Sequence, residues 1–538
     1  MYNQGLFHNW VPKPIMLLFI ILIALVFFGI NGVYTTNITY MVGGTAGLTE
    51  DFLMANYVHV VGMAVSMSLY IRLKARFRTK EILVASLCAI GLTFVGMGST
   101  LNPVLIIVGS FIVGFFKMLG MMEVLLPLMA ILSADGNRGR FYSIFYIAVL
   151  IVTQVSGFHI AWLSYHYNWQ LAYILLAALC LATALGCIVF QHNDRFMKKI
   201  PLHYVDVKSA LLFVLSFFSL AYILAFGRQQ DWFSSSTIVG AVIFFSVSFF
   251  VFVVRQQLIK RPLISFAAFQ KNNVRHGMLL LLLMGMFLAA ASIQNIFSVG
   301  ILGYMPVVNA SLNLMMIPGL VVSGIVGVKW FNRNLPIRML LFSGFAAFTL
   351  YAITMYFSMV LTFNYESWLL PMFLKGYGTG VLFVTIWFYT LDKLDLTQLL
   401  SAIGIILLWR TFIAVGIFSA LFSWLHYQLQ QQMLGNLSVY VDGITLNQNL
   451  NISLNQGAIL SKYSQLQVNS ILAASKSLFG YMAITGILTL IYVFFHHFGK
   501  TRYKRLRVKV ALSGKISIPK KDRSKIRALM QGEPSSAE

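Results

Sequence analysis

The sequence predicts an all-α polytopic membrane protein, and three observations lead there. Apolar residues make up 59% of the 538-residue chain and charged residues only 10%, with a mean hydropathy of +0.80, whereas soluble chains are about 25% charged. The apolar residues recur in runs of about 20, the length that carries a helix across a hydrocarbon layer about 30 Å thick. Between these runs the basic residues collect in alternate gaps.

Lipid offers the backbone no hydrogen bonds, so each run must close its own as a helix. The first, 14–36, follows Lys13; it is too long for a signal-peptide core and no small-residue cleavage site follows, so it reads as a retained anchor. The second and third, 51–71 and 82–100, flank the basic stretch RLKARFRTKE, residues 72–81. The fourth and fifth, 103–133 and 141–164, flank Arg138 and Arg140, and the sixth, 171–190, ends before Arg195, Lys198 and Lys199. Runs at 207–226 and 235–254 follow, then 277–297 and 307–330, the latter ending before Arg333 and Arg338. The last four lie at 339–361, 368–391, 398–425 and 477–497, which makes fourteen in all.

Of 39 Lys and Arg, 33 lie at the N-terminus, in alternate loops or in the tail, a bias that places both termini in the cytoplasm of an inner-membrane protein. A formal net charge of +24 invites a nucleic-acid partner, but no soluble domain is predicted to present it, so none is expected. Cys88, Cys180 and Cys187 all fall inside apolar runs, as inert packing residues do. No P-loop, metal-ligand spacing or nucleophile elbow occurs, so no cofactor, metal or enzymatic activity is expected.

Two stretches are predicted to stand outside the bilayer. Residues 426–476, rich in Asn, Gln and Leu, face the exterior by parity, either as a passive loop or as a hairpin covering the outer mouth or docking a partner. The tail 500–538 carries twelve cations, suited to orienting the chain and meeting anionic headgroups of the lipid bilayer.

Several segments resemble the fourteen-helix drug:proton antiporter branch of the major facilitator superfamily. They are RPLISFAAFQKNNVRHG (261–277), ILGYMPVVNASLNLMMIPGLVVSGIVG (301–327), KGYGTG (375–380) and SAIGIILLWRTFIAVG (401–416). The resemblance implies two six-helix bundles, 1–200 and 261–499, joined by two extra membrane helices in 201–260. It implies proton-coupled export of hydrophobic or amphipathic compounds, and a periplasmic adaptor protein and outer-membrane channel as partners. The basic loop falls on the superfamily's helix 2–3 signature: Leu73, Arg76 and Lys80 fit, with Arg72 beside them, but Ala75 stands in the acid's place and Arg78 in a glycine's. The related loop of the second half has Asn332 at its acid position, with Arg333 beside it. These residues are read as a cytoplasmic gate loop whose latch has lost its acids. Other motifs are reduced too: Asn31 stands where the branch carries a first-helix Asp, and TQVSGFHIAW keeps a single glycine of the fifth-helix motif.

Charges inside the runs are the strongest functional markers, since each costs about 2.5–3.5 kcal/mol at mid-bilayer and is kept for a cavity or a partner. Glu123, on the fourth run, is either a proton carrier or cation counter-ion, or a structural partner of a Lys or Arg. Lys117, six residues earlier, is rotated 240° from it, so the two are expected to face different neighbours. Arg410 either binds an anionic substrate, clamps the halves or serves structure; Lys375 either snorkels or reaches a cavity with Tyr377. Gln154, His159, Gln294 and Asn295 are further cavity candidates, with interhelical bonding as the alternative. Three cations in the bundle against one acid keep open a carrier for an anionic metabolite, of import type or independent of protons.

Overall fold

The structure is a computed structural model, and it describes residues 6–33, 38–45, 47–133, 137–193, 206–259, 262–392, 394, 396–447, 456–496 and 498. The tail 500–538 and the predicted loop cations Arg195, Lys198 and Lys199 lie outside the described residues.

Fourteen helices among the described residues are long and apolar enough to cross a membrane. They are α1 (Lys13–Gly32), α2 (Thr49–Arg76), α3 (Thr79–Ser99), α4 (Pro103–Met129), α5 (Arg138–His166), α6 (Trp169–Phe190) and α7 (Val207–Phe226). They continue as α8 (Ser236–Leu258), α9 (Asn272–Ile301), α10 (Pro306–Asn332), α11 (Ile337–Ser358), α12 (Tyr365–Thr390), α13 (Gln398–Val439) and α14 (Tyr463–Phe495). Local chemistry sets the starts. Asn102, Asn137 and Asn168 accept backbone N–H bonds at the heads of α4, α5 and α6, and Pro103 and Pro306 occupy first-turn positions where no N–H is needed.

Helices α1–α6 form one bundle and α9–α14 another, with α7 and α8 as a hairpin beside α2 and α13. The hairpin is closed by the Ser216–Ser248 hydroxyl bond (2.9 Å) and by an Arg255–Asp206 ion pair (3.1 Å). Close approach inside each bundle relies on glycine. A Cβ on Gly114 of α4 would lie 2.0 Å from the His59 carbonyl of α2, and one on Gly376 of α12 would lie 2.2 Å from the Met316 carbonyl of α10. Small residues that let backbones touch are the usual means of holding helices together in lipid. The bundles meet where α5 lies along α10 and α12 and where α2 lies along α13.

The stretch 426–476 differs from a loop. One helix runs Phe418–Asn447 and the next begins at Gln456, so α13 and α14 extend past the apolar runs as a helical pair. His426 Nε2 and Ser475 Oγ bond across it at 3.0 Å. The stretch is free of proline and rich in Leu and Gln, good helix formers, so the helices continue after hydropathy has fallen. Two helices also loosen into π-helical turns, at Ile296–Ile301 in α9 and Trp409–Ile417 in α13.

Candidate functional site

Lys117 is buried on α4 and donates to Oδ1 of Asn31 on α1. Its ammonium is also 3.4 Å from Nε2 of His59 on α2. Asn31 in turn donates from Nδ2 to Thr153 Oγ1 of α5 at 3.4 Å. From the second bundle, half-buried Arg410 is near enough for its charge to act on Lys117. Arg410 belongs to the π-helical turn of α13; such bulges recur at functional sites. Its guanidinium lies 5.1 Å from the ring centre of Phe383 on α12. Phe383, Tyr146 and Trp387 form an aromatic shelf, with centroids 5.2 Å apart for Phe383–Tyr146 and 5.6 Å for Tyr146–Trp387. Two cations, an imidazole, two neutral polar groups and three rings thus converge from both bundles, and no carboxylate bonds either cation among the described residues.

A shallow apolar groove lies between α1, α5 and α6, lined by Leu25, Val26, Gly29, Val152, Val155 and Leu179 among others, and its exposed Leu25 and Leu179 place it on the outer surface of the first bundle.

Glu123 is buried toward the other end of α4, near the basic loops. It forms an ion pair with Lys74 of α2 and accepts a 3.1 Å bond from the Tyr70 hydroxyl. The 240° offset accordingly separates its neighbours from those of Lys117. Lys375 is buried on α12, donates to Gln294 Oε1 of α9 at 2.7 Å, and lies 5.7 Å from the Tyr351 ring centre.

The remaining candidates scatter. Asn295 accepts from Asn309 at 3.0 Å, and Tyr377 donates to Ser343 at 3.4 Å. His159 is exposed on α5, its Nδ1 2.8 Å from the Val155 carbonyl, and Gln154 is half-buried. In the basic loop, Arg72 donates to the Pro262 carbonyl (2.9 Å), bridging the first bundle to the segment ahead of α9. Lys80 donates to the Ile188 and Gln191 carbonyls at the end of α6 (2.6 and 3.0 Å). Arg76 is half-buried and Arg333 exposed. Ala75 is buried, so its methyl fills the acid's place, and Lys74 next to it holds the carboxylate of Glu123 instead. His59, Thr153, Tyr70 and Tyr146 were not singled out from sequence: neutral polar and aromatic residues are too common in membrane helices to mark a site until the helices are rotated into place.

No family model matches the chain. A 334-residue stretch, 60% of the chain, is 24% identical to an uncharacterized MFS-type transporter, YhcA, of Bacillus subtilis (strain 168), and it spans 58% of that relative's length. Among solved structures, a peptide transporter POT in complex with sulfate superposes with a TM-score of 0.55 at 14% identity, covering 89% of this chain and 94% of the other. The nucleoside transporter NupG gives 0.52 at 12% identity, covering 90% and 99%. The fold is the major facilitator fold. Its two six-helix bundles are joined here through the extra pair α7 and α8.

Proposed function

We propose that the protein is a secondary transporter that carries an organic anion with an apolar or aromatic body by alternating access around the Lys117–Arg410 site. The carrying observation is that buried Lys117 and half-buried Arg410, on opposite bundles and near enough for their charges to act on one another, bond no carboxylate among the described residues. Each charge costs about 2.5–3.5 kcal/mol to hold in the membrane, and like charges add to that cost as the bundles approach. An anion between them offsets both penalties, so the bundles close most readily around a bound substrate, while the shelf of Tyr146, Phe383 and Trp387 receives its rings. In major facilitator proteins one bundle rocks on the other about such a midplane site. By the positive-inside rule the basic end faces the cytoplasm of the inner membrane.

The test is transport by the purified protein in proteoliposomes, using a panel of aromatic carboxylates and sulfonates under an imposed membrane potential. Uptake is expected to rise when the interior is positive, and Lys117→Met or Arg410→Met is expected to lower it at least tenfold. Potential-independent uptake, or unchanged uptake in both variants, would overturn the assignment.

A second reading, the proton-coupled efflux of amphipathic compounds implied by the family resemblance, is favoured by Glu123, the one buried acid among the described residues. It requires that Glu123→Gln abolish substrate-driven proton movement in inverted vesicles. The adaptor protein and outer-membrane channel rest on the resemblance alone; the helical extensions of α13 and α14 are the surface they would meet.

A further inference from the structure

The two bundles repeat one packing pattern: α4 packs against α1 and α2 in the first, and α12 packs against α9 and α10 in the second. Lys117 of α4 donates to an amide oxygen on α1, that of Asn31; Lys375 of α12 donates to an amide oxygen on α9, that of Gln294. Both lysines are buried, at 1% and 5% exposure. Both amides sit where their helix leaves α geometry. Asn31 lies in the 3₁₀ turn Ile30–Gly32, and Gln294 stands two residues before the π-helical turn Ile296–Ile301. The glycine contacts repeat as well: Gly114 brings α4 onto α2 three residues before Lys117, and Gly376 brings α12 onto α10 one residue after Lys375.

An ammonium has three protons to donate, and a single amide oxygen satisfies one without neutralising the charge. The Tyr351 ring, 5.7 Å from Lys375 Nζ, offers its π face, but the charge stays net positive. A lone cation in lipid is expensive, and interhelical bonding alone is served as well by a neutral side chain.

We infer that Lys375 and Gln294 form a second anion-binding station in the second bundle, equivalent to Lys117 and Asn31 in the first, which takes a carboxylate, sulfonate or phosphate-type oxygen group of the substrate. It rests on the anion-carrier reading given above. Each bundle then brings one ammonium to the transported anion, and Arg410 stands with the first. The amide at each station keeps the ammonium pointed, releasing or sharing it when an anionic oxygen arrives.

The experiment is calorimetric titration of the purified full chain with sulfate, benzoate and terephthalate at constant ionic strength, with thermal unfolding measured alongside. Wild-type protein is expected to bind at least one probe. Lys375→Met and Lys117→Met are each expected to weaken binding about tenfold, the size of a lost charge-assisted bond, and together to abolish it, while Lys375→Arg retains most of it. In anion-free buffer, Lys375→Met combined with Gln294→Leu is expected to unfold at or above the wild-type temperature, because it takes a lone charge out of an apolar site. A structural lysine would instead show lost stability and unchanged anion affinity, and that result overturns the second station while leaving the first intact. Loss of binding in Lys117→Met with wild-type affinity in Lys375→Met overturns it too. Failure of the wild type to bind any of the three probes overturns the anion-carrier reading itself.

Discussion

Lys74 reaches Glu123 from the last turn of α2, and the two are 18% and 2% exposed. Removing one partner of a buried pair leaves the other charge uncompensated, at about 3–5 kcal/mol for full burial. Lys74 keeps some contact with solvent, so Glu123→Gln is expected to cost about 2 kcal/mol of stability, read as a lower unfolding temperature in detergent. The double variant Lys74→Met with Glu123→Leu should lie closer to wild type than either single change; an additive double loss would show that the two charges act separately. At this scale the sequence exposed the charges and hid their partners. Glu123, Lys117, Lys375 and Arg410 stand out because each interrupts an apolar run, but Lys74 is one of five cations in RLKARFRTKE, and only the rotation of α2 against α4 selects it.

Helices α2 and α4 touch where Gly114 meets the carbonyl of His59. An added methyl 2.0 Å from that oxygen cannot be absorbed by a side-chain rotation, so α4 must move off α2. Gly114→Ala is therefore expected to cost about 2 kcal/mol or more, in the range of overpacked sites, and to weaken anion binding by displacing His59 and Lys117 together. Thermal unfolding and anion titration of the variant check both. At the base of α7, partial burial pushes the Asp206 carboxyl up, but the bonds from Ser209 and Arg255 to its charged form push further and hold it below the usual carboxylate range. A lowered carboxylate stabilises above its unfolded pKa, and that share is lost as pH falls through the folded value. The α7–α8 hairpin should accordingly loosen only below about pH 4, and Asp206→Asn should remove the dependence, as limited proteolysis of the 206–258 segment would reveal. The element pattern was legible because hydropathy reports each crossing. Hydropathy is silent on helix beyond the bilayer, so the prolongation of α13 and α14 through much of 426–476 was not legible.

Alternating access requires the two bundles to part at one end while closing at the other. In this structure α5 lies along both the first and the second part of α10, and at the basic end Asn137 of α5 donates to the Phe331 carbonyl of α10 at 3.2 Å while Arg72 bridges to the Pro262 carbonyl. One turn deeper, a Cβ built on Gly327 of α10 would stand 3.1 Å from Cβ of Ser143 on α5. That spacing is just under the usual 3.5–4.5 Å of a disulfide, and the native cysteines are buried or half-buried, so they interfere little once replaced. In a background with Cys88, Cys180 and Cys187 replaced by Ser or Ala, the pair Ser143→Cys with Gly327→Cys is expected to cross-link on mild oxidation. It should then hold the basic end closed and stop transport in proteoliposomes, with recovery on reduction. Anion binding from the opposite end should survive the cross-link, because Lys117 stands at the middle of α4 and Lys375 in the half of α12 away from the basic end, both deeper than the cross-linked pair. Transport that persists through full cross-linking would mean that α5 and α10 move as one body, and the rocking interface would then have to be sought along α2 and α13.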